Sequence, residues 1–390
     1  MNNLNKEVYV ATSNTRGFLK TLFDYSFENI SFKYEYNNVY EVPNKLRCFL
    51  AKAIKWPIFD YIGLFKVVRV SSNDDLLFSY NRFLKCSQPY VIYLENPSAL
   101  VNYAWERPRH FLTKIKLNKC FNDHNLKAII CMSKACYNHF PDLYGDKYNS
   151  KIKQLYPLVL DDMSYTNEEL EGNCNAEYIE CLYISSVFNL KGGCDLIEVF
   201  KELSKRNVKI HLTCITKIST IREDQMKVIE GLDNIDLIEF NLSKEDLCEY
   251  YRTSSILLNP TRADSFSLVT LEALKFGCAI LATDIYAIKE MVMDGVNGYL
   301  TQPMYQVWDK NGTMNKYYRR HYETTVNSGK VDITLVEWMI LKLTYLADHR
   351  EVLLNFCKQS LEMSRNESFS EKSIVKKWKG IIDDCVEGVK

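Results

Sequence analysis

The feature that most constrains the fold is an alternation of short apolar runs with longer amphipathic stretches. Runs rich in β-branched and aromatic residues recur along the whole chain: EVYVAT (7–12), PYVIYLE (89–95), KAIICMS (127–133), CLYISS (181–186), KIHLTCIT (209–216), IDLIEF (235–240), SILLNP (255–260) and AILAT (279–283). Such short continuous runs are typical of parallel strands that helices cover on both faces. We therefore predict an α/β protein in which this pattern occurs twice.

The chain is too long for one ordinary hydrophobic core. It has 390 residues, and single cores stop growing at roughly 250 to 300 residues. Between the third and fourth apolar runs, a proline, several acids and a Gly-Asn pair interrupt the periodicity, as in a linker, in LYPLVLDDMSYTNEELEGNCNAEYIE (155–180). We predict an N-terminal domain over 1–165, a second domain over 166–370 and a terminal amphipathic helix over 371–390.

Composition excludes several classes of partner and compartment. Basic and acidic side chains both number 49, so no global field attracts nucleic acid. The 13 cysteines lack the spacing of zinc sites or disulfide frameworks and are typical of thiols kept reduced in the cytosol. The N-terminus lacks the basic and apolar parts of a secretion signal, and no apolar run approaches the roughly 18 residues of a membrane helix. We expect a cytoplasmic protein with no nucleic-acid partner.

Two stretches do not fit a minimal doubly wound plan. Residues 45–70 carry six basic side chains against one acid, Asp60, on an apolar background. Such a stripe is common in core-facing helices with a basic outer face, and it is also typical of contact with a membrane surface or a lipid-linked substrate. Pro57 interrupts any continuous helix there. The second stretch, 306–330, is basic and aromatic without periodicity, and loops of this length are usually functional or disordered.

The stretch 255–284 predicts a strand, a turn, a helix and a second strand. Ser265 or Asp264 is suited to cap the helix, and Gly277 is suited to end it in the left-handed conformation. The helix then begins at the carboxyl edge of a parallel strand, where open α/β sheets bind ligands and free N–H groups attract phosphate. The amides from Ser265 to Val269 are therefore a candidate diphosphate cradle.

These residues resemble the GT-B glycosyltransferases of family 4, which are retaining enzymes. Their signature is a Glu, seven residues and a second Glu at this strand, turn and helix; here the two acids are Asp264 and Glu272. The surrounding blocks also resemble the family: SILLNPTRADSFSLVTLEALKFGCAILATD, IYAIKEMVMDGVNGYL and CLYISSVFNLKGG. The N-terminal half resembles it only in layout. The resemblance implies two Rossmann-like doubly wound domains facing a central cleft, with the 371–390 helix crossing back to the first domain.

The resemblance also implies residue roles. Glu272 would bind the ribose of a nucleotide sugar, Asp264 the hydroxyls of the transferred sugar, and Lys191 the diphosphate. We expect no cofactor and no metal, because the sequence has no Asp-x-Asp motif and the lysine and helix amides can stabilise the leaving group. The donor-binding candidates are Lys191, Ser186, Ser265, Phe266, Ser267, Leu268, Val269, Gly17 and Arg16.

The chain departs from the family pattern at several of these positions. Ser186 stands where a diphosphate-binding arginine is expected, and Asp264 is one methylene shorter than the usual glutamate. Serines replace both glycines of a Gly-x-Gly in Ser265-Phe266-Ser267. In the first domain only Gly17 remains of a glycine-rich loop, and the neighbouring Arg16 would either replace the missing cation or serve solvation alone.

Two classes of function follow. The first is a retaining transferase that moves a hexose-type sugar from a nucleotide donor to a saccharide or lipid-linked glycan in cell-surface polysaccharide biosynthesis. The second is a GT-B-like binding or partner subunit without turnover, which the changes at Ser186 and Asp264 permit. Glu95, at the end of a predicted strand, is the acceptor-side candidate or else a solvated strand-terminal acid.

Overall fold

A computed structural model of the chain describes residues 5–12, 17–34, 57–162, 165–309 and 313–387. Its strands are β1 (Lys6–Val10), β2 (Ile30–Lys33), β3 (Val67–Arg69), β4 (Leu76–Tyr80), β5 (Phe83–Lys85), β6 (Tyr90–Leu94), β7 (Leu126–Cys131), β8 (Ile152–Gln154), β9 (Ile179–Ser185), β10 (Ile210–Thr216), β11 (Ile235–Glu239), β12 (Ile256–Asn259), β13 (Ala279–Thr283) and β14 (Gly298–Thr301).

Helices separate most of the strands. They are α1 (Gly17–Phe23), α2 (Pro57–Tyr61), α3 (Phe111–Phe121), α4 (Lys134–Tyr144), α5 (Asn167–Asn175), α6 (Gly193–Lys205), α7 (Glu223–Ile229), α8 (Lys244–Thr253), α9 (Leu268–Lys275), α10 (Lys316–Arg320), α11 (Ile333–Asp348), α12 (Arg350–Ser364) and α13 (Glu371–Glu387). Within the described residues, none of these helices is long and apolar enough to cross a membrane.

The first compact unit combines both ends of the chain, Met1–Val159 and Ser368–Lys390. Its main sheet has the order β2-β1-β4-β6-β7-β8, and every pairing in it is parallel. The terminal helix α13 is part of this unit because its Trp378 is fully buried, with its ring 5.8 Å from that of Phe78 and 5.1 Å from that of Tyr93. An exposed indole at this position would forfeit one of the largest hydrophobic contributions a side chain can make.

The second compact unit spans Leu160–Glu367. Its six strands are again all parallel, in the order β11-β10-β9-β12-β13-β14. Numbered along the chain this order is 3-2-1-4-5-6, the doubly wound Rossmann arrangement. The direction of winding reverses between β9 and β12, and ligands of such sheets bind at the carboxyl ends of the strands flanking that point. The loops after β9 and β12 are therefore where a site is expected.

The predicted α/β class with two parallel sheets is confirmed, and each of the eight apolar runs coincides with a strand. The sequence missed β4, which is central and buried throughout, and three outer strands of mixed burial, β2, β8 and β14. It also missed β3 and β5, which pair in parallel as a separate two-stranded sheet. The structure divides the chain at 159/160 and 367/368, whereas the sequence placed the divisions at 165/166 and 370/371.

Candidate functional site

A glycine brings the loop after β9 against the turn after β12. Gly192 has φ +77°, and a Cβ there would lie 2.2 Å from the carbonyl oxygen of Pro260. Only glycine tolerates this approach. It places Lys191 so that its Nζ donates to the Oδ2 of Asp264 at 2.5 Å and to the carbonyl oxygen of Ala263 at 2.8 Å. Two candidate residues 73 positions apart thus form an ion pair at the reversal point of the sheet.

The other carboxylate oxygen of Asp264 binds the backbone that follows it. Oδ1 accepts from the amides of Ser265 at 2.9 Å, Phe266 at 3.2 Å and Ser267 at 2.9 Å. Burial pushes the pKa of Asp264 upward, but Lys191 and the amides outweigh it and hold that pKa below its usual range. These amides already have an acceptor within the chain. Their donation to a diphosphate stays a prediction that requires Asp264 to release them.

The helix α9 starts later than the sequence suggested. It begins at Leu268, after Ser267 in the left-handed region at φ +70°. This φ is strained for any residue with a Cβ. The Oγ of Ser267 accepts from the side-chain amide of Asn259 at 2.8 Å and lies 2.9 Å from the hydroxyl of Thr270, and these contacts hold the serine there. At the other end, Gly277 takes the predicted left-handed conformation with φ +68°.

Glu272 has a partner that the sequence did not indicate. Its Oε2 accepts from the hydroxyl of Tyr251 on α8 at 2.7 Å. Tyr251 is buried, and its ring stacks on that of Phe276 at 5.7 Å. Burial raises the pKa of Glu272, and the Tyr251 hydrogen bond opposes this only in part. The two acids of the motif therefore have separate partners, Lys191 for Asp264 and Tyr251 for Glu272.

The basic and aromatic stretch 306–330 contributes directly to the Asp264 turn. The indole Nε1 of Trp308 donates to the backbone carbonyl oxygen of Asp264 at 2.6 Å. Its ring stacks on that of Tyr286 with centroids 4.4 Å apart. Trp308 is thus a site residue that sequence reasoning missed, although the unusual composition of the stretch was a signal.

A buried ion pair also stabilises the turn that contains Asp264. Arg262 and Asp195 are both fully buried, and Nη2 of the arginine lies 2.7 Å from Oδ2 of the aspartate. The Nη2 group also donates to the carbonyl oxygen of Lys330 at 2.6 Å, and Oδ1 of Asp195 accepts from the amide of Asp332 at 2.7 Å. Burial raises the pKa of Asp195, and the arginine beside it opposes that rise. The pair fixes the backbone two residues before Asp264.

The other candidates are Ser186 in the second unit and Gly17, Arg16 and Glu95 in the first. Ser186 is half-buried just after β9. In the first unit, Gly17 is the first residue of α1, and a Cβ there would meet nothing within 4 Å. Arg16 lies outside the described residues. Glu95 is buried just after β6, so it is not a solvated acid; Tyr80 donates to it at 2.5 Å, and Tyr103 donates to its other oxygen.

Comparison with known structures identifies the architecture. HepE of Anabaena, solved in complex with UDP-glucose, superposes with a TM-score of 0.59 over 97% of this chain and 99% of that one, at 13% identity. The fold is GT-B. At this identity the likeness shows the fold alone.

Sequence comparison adds to the GT-B assignment for the second unit. Residues 179–307 match the family model described as glycosyl transferases group 1. An uncharacterised glycosyltransferase of Haemophilus influenzae is 26% identical over 203 residues, 52% of this chain and 48% of that protein. A lipopolysaccharide 1,2-N-acetylglucosaminetransferase of Salmonella typhimurium is 28% identical over 133 residues, 32% of this chain and 35% of that protein. The chain therefore aligns with about half or less of the length of these two relatives.

Proposed function

We propose that this chain is a retaining glycosyltransferase of family 4. It would move a hexose-type sugar from a nucleoside diphosphate donor to a saccharide or lipid-linked glycan during cell-surface polysaccharide biosynthesis in the cytoplasm. The GT-B fold, the group 1 match over 179–307 and the UDP-glucose bound by HepE support a nucleotide-sugar donor. The Salmonella relative supports an acceptor in a surface glycan.

The observation that carries this proposal is the Lys191–Asp264 ion pair at the carboxyl ends of β9 and β12. Breaking the bond between a sugar and a diphosphate develops negative charge on the leaving phosphate, and a positioned cation stabilises that charge. The ammonium of Lys191 would take this part without a metal. The carboxylate of Asp264 would accept hydrogen bonds from the hydroxyls of the same sugar.

The reaction would proceed on one face of the donor. The bond from the anomeric carbon to the diphosphate oxygen breaks, and the acceptor oxygen forms its bond on that side. The acceptor proton passes to the departing phosphate oxygen, so no separate base is needed. Glu95 would contact the acceptor only after Tyr80 or Tyr103 releases one of its carboxylate oxygens. Glu272, oriented by Tyr251, would accept hydrogen bonds from the donor ribose.

The phosphate site would differ from that of the family. Ser186 supplies a neutral hydroxyl where an arginine is expected, so Lys191 carries more of the charge. The amides of Leu268 and Val269, at the first turn of α9, would add to the cradle, and those of Ser265 to Ser267 would join it when Asp264 turns toward the sugar.

The test is release of nucleoside diphosphate from a panel of UDP, GDP, ADP and dTDP sugars, with and without glycan acceptors. At least one donor should be consumed, equally well with and without EDTA. Lys191→Ala should lower kcat/KM by about 100-fold or more, whereas Lys201→Ala, a half-exposed lysine on α6, should not change it.

The outcomes separate the two functional classes. A donor-dependent thermal shift without release from any donor and acceptor would favour a binding subunit without turnover. Neither release nor a thermal shift with any nucleotide sugar would refute both.

A further inference from the structure

Two neighbouring elements of the first unit expose large apolar side chains. On α2 and just after it, Ile58 is 63% exposed and Tyr61 66%; at the start of α3, Phe111 is 74% exposed. We define the α2–α3 face as Ile58, Tyr61, Ile62, Phe111, Leu112 and Ile115, all of them exposed. Large apolar side chains exposed together on neighbouring elements often mark a binding surface.

Polar contacts join α2 and the residues after it to α3 and the turn before it. Arg107 is fully buried; its Nε lies 2.9 Å from Oδ1 of Asp60, and its Nη1 donates to the carbonyl oxygen of Leu64 at 2.5 Å. On α3, the Nζ of Lys116 donates to the carbonyl oxygen of Gly63 at 3.1 Å. The rings of Tyr61 and His110 lie 4.5 Å apart. The apolar side chains therefore project from one preformed surface.

The charges around the α2–α3 face are mostly positive. Residues 57–70 and 106–119 contain seven basic side chains and two acids. Both acids are paired with arginines, Asp60 with Arg107 and Glu106 with Arg109 at 2.9 Å each. Exposed lysines remain on both elements, with Lys66 after α2 and Lys114 and Lys119 on α3.

We propose that the α2–α3 face docks on an anionic lipid bilayer. Apolar side chains with a basic surround bind such interfaces by burying hydrocarbon and pairing with lipid phosphates. A protein partner would need an acidic rim of its own to match this basic surround, whereas an anionic bilayer presents negative charge over its whole surface. This inference does not rest on the proposed function. It develops one of the two alternatives given for 45–70, contact with a membrane surface. Of that stretch only 57–70 is described, and α3 contributes Phe111, Leu112 and Ile115 to the face.

The test is flotation of the full-length protein with vesicles. We expect binding to phosphatidylcholine vesicles containing phosphatidylglycerol at low salt, and at least tenfold weaker binding to phosphatidylcholine alone or in 0.5 M salt. The double change Phe111→Ser and Leu112→Ser should weaken binding at least tenfold. Lys114→Glu with Lys119→Glu should weaken it by about fivefold or more for each lysine.

A matched change separates docking from general stickiness. Leu341→Ser removes a side chain 65% exposed on α11 of the second unit and should leave vesicle binding unchanged. All the substituted side chains are exposed, and unchanged melting curves would show intact folding. No binding to anionic vesicles, or equal binding by the Phe111 and Leu112 variant, would overturn the proposal. The proposal would also be overturned if the protein bound no vesicles but formed a dimer that the Phe111→Ser and Leu112→Ser variant dissociated.

Discussion

At the residue scale, the shortened acid of the motif has a structural reason. An aspartate oxygen can reach the amides one to three residues after it, a local contact that is typical of short polar side chains such as Asp and Asn. Asp264 uses one oxygen for three such amides and the other for Lys191. The predicted helix cap at Asp264 or Ser265 is wrong, because α9 begins at Leu268 and its N-cap position is Ser267. Asp264 instead holds the turn before the helix, and it could still contact a sugar after releasing these amides.

Replacing Asp264 should separate nucleotide binding from transfer. In Asp264→Ala, Lys191 and the three amides lose their internal acceptor and become available to a diphosphate. We expect affinity for the nucleoside diphosphate, measured by calorimetry, to be kept or raised, while transfer falls by about 100-fold or more. Glu272→Ala should instead abolish donor binding. Equal loss of affinity in both variants would contradict the separate roles.

Glu272 should affect stability in a pH-dependent way. Burial raises its pKa in the fold, so its contribution to stability is full below the unfolded-state pKa near 4.5. That contribution is lost as pH rises from there through the higher folded-state pKa. Glu272→Gln keeps an acceptor for Tyr251 but cannot ionise. The melting temperature of the variant should exceed that of the parent at pH 7 and equal it below about pH 4. Glu245→Gln, an exposed change on α8, is the control; a Glu272→Gln melting point below the parent at pH 7 would refute the argument.

At the element scale, the start of α9 depends on one strained serine. Ser267 has φ +70°, which costs a residue with a Cβ roughly 1 kcal/mol more than glycine. Ser267→Ala keeps that strain and loses the contacts to Asn259 and Thr270, whereas Ser267→Gly loses the contacts and the strain together.

The two variants should therefore differ in a defined order. By urea denaturation, Ser267→Gly should be more stable than Ser267→Ala by about 1 kcal/mol. At Ser265, where φ is not positive, the order should reverse or vanish. An alanine variant at 267 as stable as the glycine variant would mean that the backbone there is not strained.

Trp308 connects a second element to the same turn. Trp308→Phe keeps a ring against Tyr286 and removes the N–H that donates to Asp264. We expect kcat to fall while KM for the donor changes little, with a stability cost of about 1 to 3 kcal/mol for the unpaired carbonyl. A raised KM at unchanged kcat would place Trp308 in donor binding instead.

At the scale of the whole molecule, the two ends of the chain fold into one unit. Trp378 of α13 packs on strands β4 and β6, and Lys6 of β1 pairs with Asp383 at 2.6 Å. The second unit is continuous in sequence and has no such dependence.

Fragments that correspond to the two units should therefore differ in stability. Residues 160–367 alone should unfold cooperatively in calorimetry. Residues 1–159 should not, since loss of a buried tryptophan alone costs roughly 3 to 5 kcal/mol. Joining 368–390 to 1–159 through a flexible linker should restore a cooperative transition. A stable 1–159 fragment without α13 would refute this dependence.

The sequence by itself determined the α/β class, eight of the strands and the motif that carries the site. Strands buried on both faces must be apolar throughout, so they are visible locally, and Gly277 is visible because only glycine closes the helix without strain. The short strands β2, β3, β5, β8 and β14 escaped because each has only three or four residues and no more than two apolar ones in succession. The central β4 escaped because Ser79 interrupts its apolar run. The hydroxyl of this buried serine donates to the carbonyl oxygen of Arg82.

Tertiary structure alone decided the partners of the site residues. Lys191 meets Asp264 because β9 and β12 are neighbours in the sheet and Gly192 lets their loops touch. Tyr251 meets Glu272, and Arg262 meets Asp195, across 21 and 67 positions. The chemical type of a side chain determines what it can bind. The strand order and helix packing, which bring distant segments together, determine which residue it contacts.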